Sequence, residues 1–353
     1  MSEQTEHETE PRPVAGGSAA SGDAVGANAA AGSAVIDEAV ATARAACVKG
    51  SPVAIKVIAP AKVNLHLGVG PAGADGFHEV ETVLHALALH DVLYVQRTAA
   101  APGSGLTVEL TCTFHEGLPA VEIAQEDNLA YRAVIALARA LGREEDERLV
   151  MLLEKRIPVQ AGLGGGSSNA AAALVGAATL WGVPVDDPRV EATARTLGAD
   201  VAFFLQGGCG LYRGKGDEFV RALAPSKRSV VLVKPHAGVS TARAYAAFDA
   251  NPQYVSAEER AALAGAQGAA HVALRNNLAP AAEALVPELA EVRAWLEAQP
   301  GVAAAMLSGS GSATFAVCES LDAAFAVASA ATKRGWWARA TALSSARAAV
   351  VPR

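Results

Sequence analysis

The stretch EKRIPVQAGLGGGSSNAAAALVGAATLW, residues 154–181, decides how the rest of the chain is read. It begins like a short strand and passes into a turn carrying Gly162, Gly164, Gly165 and Gly166. Two hydroxyls follow, Ser167 and Ser168, and then an alanine-rich run that reaches Trp181. Consecutive glycines let the backbone come close to a ligand and aim several N–H groups at it. Ser167 or Ser168 is a good helix N-cap, because its oxygen accepts a free N–H of the first turn. The helix behind adds partial positive charge at its start. Together these predict an anion site, with a nucleotide phosphate as the expected anion. A plain tight turn before a packed helix is the competing reading. One glycine pair would favour it; four glycines with paired serines favour phosphate. No Lys follows the glycines, so the GxxxxGKS/T loop does not fit. An acidic residue at dinucleotide spacing is missing too, so a Rossmann reading is weak.

With 353 residues the chain has room for about two domains. Hydrophobic residues make up 51%, which allows a sizeable core. The net charge of −7, without a block of Lys and Arg, argues against a nucleic-acid surface. Cys47, Cys112, Cys209 and Cys318 have no paired spacing. Buried thiols in a reducing cytosol fit better than a disulfide framework or a zinc site. The acidic start MSEQTEHETEPRP lacks the apolar core of a signal peptide, and no uncharged apolar run is long enough to span a membrane. The expected location is cytoplasmic, with no membrane partner.

Residues 1–50 are rich in Ala, Gly, Ser and Glu and hold no aromatic residue; they are expected to be a disordered extension with a weak helix at 36–46. Order is expected from about residue 52. In VAIKVIAPAKVNLHLGV, Val63, Leu65, Leu67 and Val69 alternate with Lys62, Asn64, His66 and Gly68, a strand period. Pro60 reads as a strand start. On pattern alone, Lys62, Asn64 and His66 read as a solvated face; beside a phosphate loop they read as groups for a charged substrate. GADGFH, residues 73–78, is a turn followed by an amphipathic stretch at 79–89. Phe77 and His78 at its exit suit stacking on a base and bonding to its edge, or equally a plug and a surface His. His66, His85, His90, His115 and His271 fit no metal spacing, and no metal-ligating set is assigned.

Strands are expected at 91–96, 106–113 and 149–154, and a helix at 128–141 whose cap is supplied by Glu126-Asp127-Asn128. After the loop helix comes a helix at 188–197, ended by Gly198. Asp200 then either caps a helical turn or, facing a phosphate loop, serves as a general base. The glycine-rich segment 207–216 marks a hand-off between halves. The second half reads as strand 229–234, helix 241–248, one helix 281–298 kinked at Pro287, strand 302–307, the turn SGSGS at 308–312, strand 313–318, helix 321–333 and a final strand from Trp336. The alternation suggests an α+β sandwich.

Three motifs stand in order: APAKVNLHLGV, IPVQAGLGGGSSNAAAA and LSGSGSATFAV. This triple resembles the GHMP kinase superfamily. GFHEVETV and TLGADVAFFL narrow the resemblance to the branch acting on a cytidine diphosphate-linked methylerythritol. The resemblance covers the chain from about residue 52. It implies an α+β, two-domain GHMP kinase fold: a ribosomal protein S5 domain 2-like N-terminal domain, placed at 51–220, and a ferredoxin-like C-terminal domain at 221–353. It implies an ATP-dependent kinase of the non-mevalonate isoprenoid pathway that phosphorylates the acceptor's 2-hydroxyl. ATP phosphates would lie on Pro158, Val159, Gln160, Ala161, Gly162, Leu163, Gly164, Gly165, Gly166, Ser167 and Ser168, with Asn128 and Lys155 on the adenine side. Asp200 would be the base. Lys62 would neutralise charge on the transferred group and act on Asp200, and Asn64 would help position the hydroxyl. Phe77 would stack on cytosine and His78 would bond its edge. Mg²⁺ would be held largely by the nucleotide and water. The expected state is a monomer or weak homodimer.

The chain departs from the family pattern at Phe77, where Tyr is frequent, and at Ala202, where Pro is expected. A homoserine- or mevalonate-type kinase is the first alternative; the GFH turn argues against it, because those acceptors carry no base. A nucleotide-binding scaffold without catalysis is the second; the presence of both Lys62 and Asp200 argues against it. A carbohydrate-binding or regulatory module has no positive signal.

Overall fold

Two long antiparallel strands frame the N-terminal half: β1 (Ala54–Ala72) and β2 (His78–Ala99). The computed structural model describes residues 54–352; the extension expected at 1–50, its weak helix and Cys47 lie outside them. The amphipathic stretch expected at 79–89 and the strand expected at 91–96 are one continuous strand. Its first half pairs with β1 on one edge and with β5 (Cys209–Arg213) on the other. Val83, Leu84, Ala86 and Leu87 are all buried, so neither a helical nor a strand period stands out in the sequence. Pro60 does not start a strand. It lies inside β1 beside a register shift between Pro60 and Lys62, where a missing N–H is tolerated.

The second half of β2 pairs with β4 (Glu147–Lys155), which runs parallel to β3 (Leu106–Phe114). β6 (Glu218–Leu223) extends the sheet from β5. Helices α1 (Leu129–Leu141), α2 (Gly165–Leu180), α3 (Pro188–Leu197) and α4 (Ala199–Gln206) pack with this sheet into one core. α2 is the alanine-rich run. Every residue from Ser168 to Ala178 is buried, as expected of a helix without a polar face. Small side chains let it lie close: a Cβ at Gly176 would stand 2.9 Å from Val95 Cγ2.

The second sheet is antiparallel, in the order β11 (Trp337–Ala342), β7 (Ser229–Lys234), β10 (Thr314–Cys318), β9 (Val302–Leu307). In chain order that is 4-1-3-2 with helices between, the ferredoxin-like arrangement. Both faces of β7 are buried. Val230 and Leu232 pack with Ala61, Val63 and Phe315, while Val231 and Val233 pack with Val292, Leu296 and Val327. The connection from β7 to β9 carries α5 (Thr241–Ala250), α6 (Ala257–Gly265), the short β8 (Arg275–Asn276), α7 (Ala279–Leu285) and α8 (Pro287–Glu297). The single kinked helix expected at 281–298 is two helices. Pro287 lacks the N–H that would continue α7, and its ring suits the first position of a new helix. α9 (Leu321–Lys333) precedes β11, and β12 (Ala349–Val350) returns to pair with β1.

β8 belongs to the first sheet. It pairs in parallel with β1 at His66 and Leu67. The next residue, Asn277, is buried; its side chain accepts from Val69 N–H at 2.8 Å and donates to the carbonyls of Val69 at 2.9 Å and Gln253 at 3.1 Å. Asn277→Ala leaves buried peptide groups unpaired. It is expected to destabilise the protein by about 2–4 kcal/mol, read as a lowered denaturant midpoint in equilibrium unfolding.

Candidate active site

The N-terminus of α2 is open. Its cap residue is Gly164 at φ 70°, with no side-chain hydrogen bond, so neither Ser167 nor Ser168 is the N-cap. The left-handed conformation at Gly164, easy for glycine, lets the helix begin at Gly165. Ser167 then falls in the first turn. Ser168 is fully buried, and its hydroxyl meets no protein partner. The first helical N–H groups, at Gly165, Gly166 and Ser167, therefore have no side chain to accept from them, which is the arrangement an anion needs.

The loop's carbonyls are held from behind. Ala161 O accepts from Ala313 N–H at 3.0 Å, Gly162 O from Ser308 Oγ at 2.9 Å, and Leu163 O from Lys62 N–H at 3.0 Å. The SGSGS turn is thus the scaffold of the glycine loop. Asn276 holds that turn in place, donating to the carbonyls of Leu307 at 2.9 Å and Gly309 at 2.8 Å.

A cavity of about 400 Å³ opens in front of the loop, lined by residues 158–167 together with Asn128 and Lys155. Ser168 lies just behind this lining. Asn128 caps α1 through its side-chain oxygen, which accepts from Ala130 N–H at 3.0 Å. The Lys155 ammonium is buried between the Asp91 carboxylate and Asn169 Oδ1, the latter at 2.8 Å. Asp91, fully buried, also accepts from the N–H groups of Arg156 at 2.6 Å and Ile157 at 2.8 Å. This cluster ties β2 to the first residues of the loop. Among the described residues no group of three or more His, Cys, Asp or Glu could hold a metal ion.

Lys62, Asp200 and the glycine loop meet. A Cβ at Gly164 would stand 3.0 Å from Lys62 Cγ and 2.7 Å from Phe204 Cζ, on the helix that carries Asp200. Lys62 Nζ lies 3.6 Å from Asp200 Oδ2; the Lys side chain is 7% exposed and that of Asp200 28%. Asp200 sits in the first turn of α4 without capping it, and Ala202 continues the helix. The solvated-face reading of Lys62, Asn64 and His66 fails, because all three are buried. Their face of β1 is covered too. The Thr82 hydroxyl donates to His66 O at 2.7 Å, so its oxygen is free to accept from Asn64 Nδ2 at 2.9 Å. That orientation turns Asn64 Oδ1 toward Lys62 Nζ, at 2.7 Å. Asn64 thus aims the Lys62 ammonium. Nearby, burial and the charge of Asp200 push the Tyr245 phenol above its ordinary pKa.

Phe77 and His78 stand at a second cavity, of about 480 Å³. Phe77 is 58% exposed, and the Lys215 ammonium sits 3.6 Å from its ring centre while pairing with Asp75 at 3.0 Å. His78 is buried, with Nδ1 2.8 Å from Gly70 O and Nε2 3.4 Å from Asp249 Oδ1. The Tyr245 ring packs on it at 5.0 Å.

Residues 128–208 match the family described as GHMP kinases N terminal domain, and residues 259–335 match GHMP kinases C terminal. A 4-diphosphocytidyl-2-C-methyl-D-erythritol kinase of Desulfitobacterium hafniense is 35% identical over 80% of this chain and 93% of its own length. One of Nocardia farcinica is 38% identical over 79% and 89%. A crystal structure of 4-(cytidine 5'-diphospho)-2C-methyl-D-erythritol kinase superposes with a TM-score of 0.66 at 35% identity, covering 82% of this chain and 99% of that one. The chain belongs to the 4-diphosphocytidyl-2-C-methyl-D-erythritol kinase family of the GHMP kinases. A homoserine kinase from Cytophaga hutchinsonii, at 20% identity and a TM-score of 0.61, shares the GHMP fold.

Within this GHMP kinase fold, sequence reading missed Asp91, Thr82, Tyr245, Asn276 and Asn277. Each acts through a partner far along the chain, and none carries a local pattern. The exception is the Asn276-Asn277 pair just before α7, where two short amides ahead of a helix could have flagged backbone bonding. The tightest steric point is Gly162, at φ 74°, where a Cβ would stand 2.0 Å from Ser308 O. Gly162→Ala is expected to displace the loop, lower the melting temperature by several degrees and weaken ATP binding at least about tenfold, as checked by calorimetry.

Proposed function

We propose that this kinase transfers the γ-phosphoryl group of ATP to the 2-hydroxyl of 4-diphosphocytidyl-2-C-methyl-D-erythritol, giving the 2-phosphate and ADP. The observation that carries the mechanism is the Lys62–Asp200 pair, 3.6 Å apart, at the mouth of an uncapped helix start. Phosphoryl transfer asks the protein chiefly for positioning and charge compensation. The N–H groups of Gly165, Gly166 and Ser167 would receive the ATP phosphates, with Asn128 and Lys155 lining the adenine side of the same cavity.

In the transfer step the acceptor oxygen forms its bond to the γ-phosphorus as the bond to the ADP oxygen breaks. The hydroxyl proton passes to the Asp200 carboxylate, which later returns it to water. Lys62, aimed by Asn64, stabilises the negative charge spread over the transferring group. Mg²⁺ bound with the nucleotide would neutralise phosphate charge, and the part-exposed carboxylate of Asp200, already paired with Lys62, fits an ion held mainly by ATP and water. The exposed Phe77 ring and His78 would take the cytosine. The Asp91–Lys155–Asn169 cluster keeps the start of the loop in place. We place the enzyme in the cytoplasm as a monomer or weak homodimer, with two domains meeting near residue 220. No helix among the described residues is long and apolar enough to cross a membrane.

Asp200→Asn tests the base. It keeps size and removes proton affinity, so kcat is expected to fall by roughly 10²–10⁴-fold while the KM for ATP stays within about threefold, in steady-state ADP release with ATP and Mg²⁺. Activity within about threefold of wild type would remove Asp200 from the role.

A further inference from the structure

A cavity of about 630 Å³, larger than the one at the glycine loop, has no part in the reaction described above. The segment after β3 forms one side of it, and the ends of β7 and β11 form the other. Antiparallel pairing sets Lys234 opposite Trp337, so the two side chains share a face of the second sheet. Arg339, two residues further along β11, shares that face. One wall therefore carries two cations and an indole. Phe114 and Trp336 add aromatic rings, and His236 stands just beyond β7. No carboxylate lines the cavity, and neither cation pairs with one among the described residues. The Lys234 ammonium donates to Pro235 O at 3.0 Å. The Arg339 guanidinium donates to the carbonyls of Ala338 and Glu116, each at 3.3 Å, and lies 3.4 Å from His115 Nδ1. Burial pushes the Lys234 ammonium below its ordinary pKa, which the charge of Glu288 only partly offsets. In a chain of net charge −7, two part-buried cations without a counter-ion are costly unless an anion joins them.

We propose that this cavity binds a phosphate monoester carried on a flat apolar body, with Lys234 and Arg339 on the phosphate and Trp337 against the body. Two full positive charges match the dianion of a phosphate monoester better than a single carboxylate. The aromatic rings suit a flat apolar body. Indoles apart, Gln160 and Thr332 are the only neutral polar side chains of the lining, too few to read a sugar and a base. The ligand would also act on ATP. Phe114, Val121 and residues 158–160 line both cavities. A dianion on one side of these residues repels the ATP phosphates on the other, so the ligand inhibits by raising the KM for ATP. The site does not depend on which acceptor hydroxyl the kinase phosphorylates.

The test is calorimetric titration of the full chain with 2-naphthyl phosphate, against 2-naphthol and inorganic phosphate, in wild type, Lys234→Met, Arg339→Met and Arg339→Lys. Wild type is expected to bind the naphthyl phosphate at least about tenfold more tightly than either comparison compound. Each Met variant should weaken that binding by roughly tenfold or more, because a charge-assisted hydrogen bond is lost. Arg339→Lys keeps the charge and should lose less than Arg339→Met. Without the probe, the KM for ATP should stay within about twofold of wild type in every variant; with it, the KM should rise in wild type and not in the Met variants. Melting temperatures control for folding. Binding within about twofold of wild type in both Met variants would put the probe elsewhere and overturn the site. Wild-type binding no tighter than that of 2-naphthol would overturn it as well. Either result leaves the kinase reading standing, since that reading is tested by ADP release without the probe.

Discussion

The backbone of residues 161–163 is fixed from two sides, and the rest of the site follows from that. On one side the turn 308–312 and Ala313 hold the carbonyls of Ala161 and Gly162; on the other, the N–H of Lys62 holds the carbonyl of Leu163. With the carbonyls engaged behind the loop, its amide groups are left to face the cavity. The same bond to Leu163 O sets where the Lys62 side chain emerges. Gly164 then leaves just enough room for Lys62 and for Phe204 of α4, and α4 brings Asp200. The open helix start, the Lys62 ammonium and the Asp200 carboxylate are three consequences of one backbone arrangement.

Around this the two buried lysines of the site are each paired. Lys62 lies between Asn64 and Asp200, and Lys155 between Asp91 and Asn169. Burying a charge is unfavourable unless it is paired and fully hydrogen-bonded, and removing one member is far worse than never having built the pair. Both clusters therefore resist change in a way surface ion pairs such as Arg148–Glu109 do not. They also separate two tasks. Asp91 and Lys155 fix the entrance of the loop, while in the proposed reaction Asn64 and Lys62 serve the transferred group.

The parts legible in the sequence were those where backbone geometry restricts residue type. Four glycines before an alanine run announce a close backbone approach, and SGSGS announces a second. Lys62 and Asp200 could be read only through resemblance, since local pattern favoured a solvated face and a helix cap. The serine cap failed because Gly164 starts the helix earlier than any hydroxyl could. Residues 79–89 were read as an amphipathic stretch and not as a strand because residues 82–87 are buried on both faces of β2, which erases the period there. Pro60 was read as a strand start and marks a strand irregularity, and Pro287 was read as a kink and marks a helix start. What no local pattern can carry is the pairing of distant polar groups: Asp91 with Lys155, Thr82 with Asn64, Asn277 with Val69.

The claim on which the account stands is that Lys62 and Asp200 act as one unit on the transferring phosphoryl group. A double-mutant cycle with Lys62→Met and Asp200→Asn, read as single-turnover phosphorylation of the cytidyl substrate, measures that coupling directly. If the two act together, the double variant should be no more than about threefold slower than the slower single variant, because either loss already disables the unit. Losses that multiply, each variant slowing the reaction by its own full factor in the presence of the other, would show two independent residues and contradict the account.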